Sequence, residues 1–589
     1  MKQKNNSLQL VREKYIRTMA EAENKEGVTQ KAINIADDLF ALDLTMYSST
    51  YSFDSVIYNS FAFSALDENI SLHPEQLQII NHIEKHSASI ISAPTSFGKT
   101  YCIFEYIAKY KPRNVVLIVP TLALVEEYFK KIIRRFKPHF TSYKIYTSID
   151  ETKEYNFDSY NIFILTHDRI VQTYAYSKIE KIDFLVIDEV YKLETQFSND
   201  RVLVLNMAYY HLAKKAKKYT LLAPFIKEVI DCEHLEKKPV FYKTDYSPVV
   251  NDIVIRNVLS EKDKNKECEL VLSEINPNEK TLIYFPTVSQ LYKYIQSSIS
   301  NNPNTIINLP SNVANFISWA KDEIHDEWCV IKALKHGYLI HNGQIPVGVR
   351  MFQLDSYEKS EMFNRMLCTS TLLEGVNTSA KYIIITSPSR NPENRDGFSA
   401  FDFYNLVGRT GRLNEHLIGI AYYIKSPNDP AYIKDDAIKS IRFELSDSSK
   451  DVDIQIGGID EYDDVKKFLR LLGITIEDYR ANIGASIRFA TAVELYSQYK
   501  KHKKKLLETL SAMAKDTKIG RPNLVKILYD ICDNQQKKTF VQNNEKNMII
   551  NLLDKRRPSI KTVVNKVRDS FKDKKIDIDT LISTAIKMK

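Results

Sequence analysis

Two stretches of this sequence hold residue types whose spacing could do phosphate chemistry. The first reads Ser92-Ala93-Pro94-Thr95-Ser96-Phe97-Gly98-Lys99-Thr100. It follows the short apolar run Ser87–Ile91 and precedes Tyr101–Ile107, whose apolar residues recur at helical spacing. Strand, loop and helix in that order let successive backbone N–H groups cradle a triphosphate at the helix N-terminus. The cradle would be Pro94, Thr95, Ser96, Phe97 and Gly98, with Lys99 reaching the β- and γ-phosphates and the Thr100 hydroxyl ligating Mg²⁺. Ala93 stands where the first glycine of the usual G-x-x-x-x-G-K-[ST] pattern falls, so the bare pattern is one residue short.

The second stretch, Lys181 to Leu193, reads Lys-Ile-Asp-Phe-Leu-Val-Ile-Asp-Glu-Val-Tyr-Lys-Leu. An apolar strand, Phe184–Ile187, delivers Asp188 and Glu189 at its carboxyl end, where open α/β sheets bind ligands. Asp188 would hold Mg²⁺ through water, and Glu189 would polarise the water attacking a γ-phosphate. Standing alone, the pair could equally be a solvated acidic turn. Following the phosphate loop at domain-sized separation, it points to a nucleoside triphosphatase.

These residues need a parallel sheet to position them, and the pattern supplies one. Val115–Val119 and Ile162–Leu165 read as buried parallel strands in an alternating strand–helix segment that begins at Leu72. The alternation pauses around residues 245–255, at Tyr246-Ser247-Pro248-Val249, which reads as a linker. It resumes with Thr281–Phe285 and Tyr382–Ile385. The expected class is α/β, two tandem P-loop domains with parallel sheets plus helical extensions at both ends. The expected boundaries are 1–70 (helical), 71–245, 246–430 and 431–589 (linker and basic helical domain). After about residue 425 strands give way to an acidic stretch, Ser446–Asp464, and then to helical periodicity broken at Gly520-Arg521-Pro522 and Arg557-Pro558. Ala32–Leu42 is amphipathic and helical, and the aromatic-rich Tyr47–Phe63 after it carries no evident chemistry.

The whole chain bounds the answer further. Its 589 residues suit three or four domains at ~150 residues each. Hydrophobic content of 44% and charged content of 26% are those of a globular protein. Net charge is +8, but Thr491–Lys589 holds 23 basic against 11 acidic residues, leaving about −4 for the first 490. Such a basic end suits a polyanionic partner or a solvated helical face. Six scattered cysteines without a C-x-x-C pair argue against zinc or iron–sulfur sites and suggest a reducing compartment. The opening Met1–Asn6 leads into polar sequence, and the longest apolar run, Val115–Val125, is broken by Pro120 and Thr121. The expectation is a soluble cytoplasmic protein.

Taken in order, the motifs resemble those of superfamily 2 DEAD/DEAH-type helicases, most of all the superkiller-like branch that includes the helicase part of polymerase theta. Leu72-His73-Pro74-Glu75-Gln76 is similar to that branch's adenine-recognition element, with Gln76 donating to and accepting from the base. Ala-Pro-Thr-Ser at 93–96 is typical of the branch and accounts for the missing glycine. Pro120-Thr121-Leu122-Ala123-Leu124 resembles motif Ia and Thr166-His167-Asp168-Arg169 the T-P-E-R element. Phe285-Pro286-Thr287 resembles motif IV, and Thr369 to Asn377 resembles motif V. Asn405-Leu406-Val407-Gly408-Arg409-Thr410-Gly411-Arg412 resembles motif VI. The resemblance spans about residues 72–425. It implies two RecA-like domains with ATP and Mg²⁺ between them, Gly375 and Asn377 near the nucleotide, and Arg409 and Arg412 as arginine fingers. It also implies that Thr121, Thr166, Arg169, Thr287 and Thr371 hold a nucleic-acid backbone, contacts that carry no sequence code.

Three positions depart from the family. Motif II ends in Tyr191 rather than His or Asp, motif III reads Leu222-Ala223-Pro224-Phe225 instead of S-A-T, and motif VI opens with Asn405 rather than Gln. In relatives these positions couple nucleotide state to strand movement. The expected function is an ATP-dependent helicase or translocase moving 3′ to 5′ on single-stranded or tailed duplex nucleic acid. DNA is favoured over RNA, and the setting would be antiphage defence or repair. The alternative is a nucleotide-gated clamp or sensor that regulates a partner such as a nuclease without unwinding. Lys503, Lys504 and Lys505 would extend the strand path or form a solvated face.

Overall fold

Alternate residues of the first central strands face two different apolar layers, which is what strands buried on both sides require. Ile90, Val116, Ile118, Leu185 and Ile187 pack into one layer. Their neighbours Ile91, Val115, Leu117, Phe184 and Val186 pack into the other. The computed structural model describes residues 2–23, 32–48, 52–150, 152–172, 175–193, 200–230, 235–301, 308–372, 378, 380–391, 396–411, 418–434, 439–442, 450–451, 454, 459–460, 462–484, 488–515, 558–569 and 577–588.

The strands are β1 (Ala88–Ser92), β2 (Asn114–Val119), β3 (Lys144–Tyr146), β4 (Asn161–Thr166), β5 (Ile182–Ile187), β6 (Ala216–Ala223), β7 (Ile226–Ile230) and β8 (Val240–Lys243). Seven of them form a sheet in the order β3-β4-β2-β5-β6-β1-β8, with parallel neighbours. β1 and β5, whose carboxyl ends carry the two chemical stretches, lie either side of β6. At ~4.8 Å per strand their ends fall about 10 Å apart, within reach of a nucleotide's phosphates.

A second α/β domain is built on a six-stranded sheet. Its strands are β9 (Val250–Asn257), β10 (Thr281–Tyr284), β11 (Tyr338–His341), β12 (Arg365–Cys368), β13 (Tyr382–Ile385) and β16 (Ile418–Lys425). The chain thus has two parallel-sheet α/β domains with helical extensions, the class the alternating pattern predicts.

By contacts the chain divides into two compact units. The first comprises Met1–Leu282, Leu372–Leu469 and Gly473–Ser486. It holds the seven-stranded sheet and the parallel run β13-β16-β9. The linker expected at Tyr246–Val249 precedes β9 directly, and the pause around 245–255 is shorter than the sequence suggests, because the β-branched alternation from Val250 pairs as an edge strand. β17 (Lys439–Arg442), running parallel to β7, is a second departure, since strands were expected to end near residue 425. Four residues are too few to show a period.

The N-terminal helix Lys2–Glu23 belongs to this unit and lies on the segment before β9. Gln9 exchanges both amide hydrogen bonds with the Ser247 backbone. Arg12 donates to the Leu42 carbonyl at 2.7 Å, pairs with Asp43, and lies over the Tyr246 ring. Tyr246 in turn donates to the Asp43 carbonyl and Tyr47 to that of Pro248. The helix Phe53–Ala62 is tied to the phosphate-loop helix through buried Glu105, which accepts from Ser64 Oγ and Ala65 N–H, both at 2.6 Å.

The second unit comprises Ile283–Thr371, Arg470–Leu472 and Ile487–Lys589. In it β11 and β12 pair in parallel, and the helix Ile560–Asp569 packs on Ser311–Glu323. Asp579, on the helix Ile578–Met588, accepts from the Cys329 N–H at the start of another helix. Burial raises the Asp579 carboxyl to about 6. Lys503, Lys504 and Lys505 are exposed on the long helix Phe489–Lys515. Among the described residues no helix is long and apolar enough to cross a membrane. Gly520, Arg521, Pro522 and Arg557 lie outside the described residues.

Candidate functional site

The phosphate loop leaves β1 at Ser92, turns through a short helical segment at Thr95–Phe97, and enters the helix Lys99–Tyr110. Gly98 joins the two with φ +91°, in the left-handed region, and a Cβ there would meet Gln76 Nε2 at 3.1 Å. Both facts call for glycine. Pro94 supplies an extended φ of −52° ahead of the turn, and the Phe97 ring is fully buried. The Ser96 side chain lies outside the described residues. Lys99 folds back onto the loop, donating to the carbonyls of Ala93 (2.8 Å) and Pro94 (3.0 Å). Enclosure lowers its ammonium to about 8, against the opposing pull of Asp188 and Glu189.

Gln76 sits beneath the loop in the first turn of Pro74–Lys85, a helix capped by His73 through a reciprocal box. Its amide accepts from the His73 N–H and donates to the Phe97 carbonyl at 3.4 Å. It thereby links its own helix to the phosphate loop.

At the end of β5, Asp188 accepts from the Glu189 N–H through Oδ1 (2.9 Å) and from the Tyr128 hydroxyl through Oδ2 (3.0 Å). Burial, followed by the adjacent Glu189 charge, raises its carboxyl to about 6. Glu189 adopts φ +56°, a left-handed conformation that costs a non-glycine residue about 1–3 kcal/mol and clusters at functional sites. Its Oε2 is buried and has no hydrogen-bond partner among the described residues. Its Oε1 lies 4.0 Å from Arg409 Nη2, and both side chains are about nine-tenths buried.

Arg409 follows the helix Ala400–Val407, capped by Ser399. Next to it, the Gly408 carbonyl accepts from Thr95 Oγ1 at 3.3 Å. A Cβ on Gly408 would meet Thr95 Oγ1 at 2.2 Å, so a glycine is required for this approach. One compact unit therefore gathers Thr95, Lys99, Thr100, Asp188, Glu189 and Arg409. Arg412, Gly375 and Asn377 lie outside the described residues.

The donor set fits a hard divalent cation. The Thr100 hydroxyl and the Asp188 carboxylate are brought near each other, and an unpartnered Glu189 oxygen is buried beside them. Two protein oxygens suit Mg²⁺, which keeps most of its waters and completes its shell with substrate phosphates.

The residues expected to hold a strand are placed as follows. Thr121 caps the helix Leu122–Lys130, accepting from Leu124 N–H. Thr166, at the end of β4, pairs in register with Val119 and accepts from the Arg169 N–H. Arg169 donates to the Thr147 carbonyl at 2.7 Å. In the other unit Thr287 accepts from Gln290 N–H, and Thr371 Oγ1 is 3.3 Å from His341 Nδ1.

Two of the three departing segments are brought to one side chain. Tyr191 packs on Phe401 with ring centroids 4.7 Å apart, and Phe225 meets the same ring edge-on at 6.3 Å. Phe225 holds φ +49° in an Ala223–Ile226 turn. Asn405, one helical turn after Phe401, is buried, with no partner for Oδ1 among the described residues. Sequence reasoning missed Phe401 and Tyr128. The four-residue spacing from Phe401 to Asn405 was the available signal, and it is common to any amphipathic helix.

Comparison with known proteins bears on this site. Residues 73–223 match the DEAD/DEAH box helicase family. That span holds Gln76, the phosphate loop and the Asp188–Glu189 pair, and enzymes of this family are ATP hydrolases that use Mg²⁺. The chain is also 27% identical over 414 residues to the anti-bacteriophage protein B of Escherichia coli (strain K12). The match covers 67% of this chain and 50% of that protein. The chain therefore aligns with about half the length of that relative.

Proposed function

We propose that this chain is a nucleic-acid-stimulated ATP hydrolase of the superfamily 2 helicase type, close to the superkiller-like branch, working in antiphage defence. The observation that carries the reading is the gathering of Lys99, Thr100, Asp188, Glu189 and Arg409 around one recess at the ends of β1 and β5. The defence setting is supported by the name of the relative, anti-bacteriophage protein B.

In this reading Lys99 leaves the loop carbonyls for the β- and γ-phosphates, and Gln76 reads the adenine edge. Thr100 and Asp188 hold Mg²⁺, which when bound neutralises phosphate charge and polarises the phosphoryl group. Glu189 orients the attacking water and takes its proton. Arg409, with Arg412, offsets charge growing on the γ-phosphoryl oxygens. Gly375 and Asn377 border the nucleotide. Thr121, Thr166, Arg169, Thr287 and Thr371 grip the backbone of one strand, DNA before RNA, along which the chain moves 3′ to 5′.

A second reading, a nucleotide-gated clamp acting on a partner such as a nuclease, is favoured by one observation. Aromatic packing of Tyr191 and Phe225 on Phe401 stands where relatives use polar contacts. The test is steady-state ATP hydrolysis with single-stranded DNA, single-stranded RNA and a 3′-tailed duplex, scoring strand displacement in parallel. Stimulation with displacement is expected. Stimulation without displacement selects the clamp, and no stimulation by any polymer overturns the nucleic-acid part of the reading.

A further inference from the structure

Tyr128 lies in none of the motifs discussed above, on the helix Leu122–Lys130, and is 3% exposed. Its hydroxyl stands between the two groups assigned to the cation, 3.1 Å from Thr100 Oγ1 and 3.0 Å from Asp188 Oδ2. The Phe104 ring packs edge-on against it with centroids 5.3 Å apart, which fixes the phenol in the recess.

The hydrogens in this chain have only one consistent direction. An ionised carboxylate can only accept, so Tyr128 gives its single hydrogen to Asp188. Tyr128 can then engage Thr100 only as an acceptor. The Thr100 hydroxyl hydrogen is committed to Tyr128, and its lone pairs are left for a cation. Asp188 is fixed at the same time from both sides, by Tyr128 on Oδ2 and by the Glu189 N–H on Oδ1.

We propose that Tyr128 is a positioning residue of the Mg²⁺ site, which turns a lone pair of Thr100 toward the cation and pins the Asp188 carboxylate. This rests on the ATP-and-Mg²⁺ reading above. Without the phenol oxygen, the Thr100 hydroxyl loses the acceptor that sets its direction, and Asp188 loses the donor that holds Oδ2.

The test is Tyr128→Phe in the full chain, a change that keeps the ring and its packing and removes one oxygen. Binding of methylanthraniloyl-ATP is measured in EDTA and then across a Mg²⁺ titration, with Mn²⁺ binding followed by electron paramagnetic resonance and thermal unfolding alongside. The proposal expects metal-free nucleotide affinity and the unfolding midpoint to match wild type. It expects the Mg²⁺ needed for half-saturation, and the Mn²⁺ dissociation constant measured with nucleotide present, to rise about tenfold. A Tyr128→Phe change added to Thr100→Val should raise the Mg²⁺ requirement by less than it does alone, because one of its two routes is already gone. An unchanged or lower Mg²⁺ requirement in the single variant overturns the proposal. So does a parallel loss of metal-free binding and thermal stability, which would mark Tyr128 as packing alone. If wild type itself binds the nucleotide without any dependence on Mg²⁺, the metal reading fails and the proposal with it.

Discussion

Asp188 and Glu189 are adjacent in sequence, but the structure prepares them differently. Asp188 has both oxygens occupied, and its carboxyl is raised to about 6 by burial and its neighbour. Glu189 is held at φ +56°, with one oxygen facing Arg409 at 4.0 Å and the other buried without a partner. A strained backbone and an unsatisfied buried oxygen each cost about 1–3 kcal/mol, and both persist only where the surroundings impose them. Among the described residues nothing in the chain satisfies that oxygen. Glu189→Gln keeps the shape and removes the proton acceptor. ATP-analogue binding should stay within about twofold of wild type while hydrolysis falls by about 100-fold or more. Single-turnover hydrolysis beside equilibrium binding checks this, and near-wild-type turnover would remove Glu189 from the chemistry. Lys99, Asp188 and Glu189 stood out in the sequence because a Gly-Lys-Thr loop and an Asp-Glu pair each follow an apolar strand. Tyr128 was not, because a tyrosine on an amphipathic helix reads as core. Its partners are 28 and 60 residues away, and only the folded sheet brings them to it.

The helix Ala400–Val407 connects Arg409 to positions where this chain departs from the helicase motifs it resembles. Phe401 at its start receives Tyr191 and Phe225, and Asn405 is buried one turn later. Phe225 holds a left-handed conformation that a bulky aromatic rarely adopts, so its ring is kept against Phe401 at a backbone cost. Aromatic pairs contribute about 0.5–1.5 kcal/mol each beyond their buried area, enough to couple the helix to the end of β6. Phe401→Leu retains an apolar side chain and should cost under about 1.5 kcal/mol of stability. Basal hydrolysis should persist while its stimulation by nucleic acid falls several-fold, up to about tenfold. The ratio of stimulated to basal rate is the measurement, and an unchanged ratio would make the cluster plain packing. The departures at Tyr191, Pro224 and Asn405 were visible as single letters. That two of the rings would meet on Phe401 was not, since ring-on-ring contact across separate elements leaves no periodic trace in a chain.

At the scale of the molecule, the two parallel-sheet α/β domains were legible because strands buried on both faces are continuous apolar runs. Val115–Val119 and Ile162–Leu165 both lie within the observed strands β2 and β4. Elements whose partners are remote and whose sequence is short escaped notice. β17 is four residues long, and β9, which begins within the expected pause around 245–255, lies on a half-exposed edge. The role of the first helix was hidden for a different reason. Gln9, Arg12 and Arg17 look like solvated polar residues in sequence, yet they bind Ser247, Asp43 and Asp252. The segment joining the two α/β domains is thus held by the N-terminal extension. All these elements converge on one claim, that the recess at the ends of β1 and β5 hydrolyses ATP. The most direct measurement is the rate of ATP hydrolysis by wild type and by Lys99→Ala, with Mg²⁺ and single-stranded DNA present. Loss of the Lys99 ammonium should lower the rate by about 100-fold or more, as removal of a charged group facing the transferred phosphoryl does. Hydrolysis by Lys99→Ala at the wild-type rate would contradict the assignment of this recess as the catalytic site.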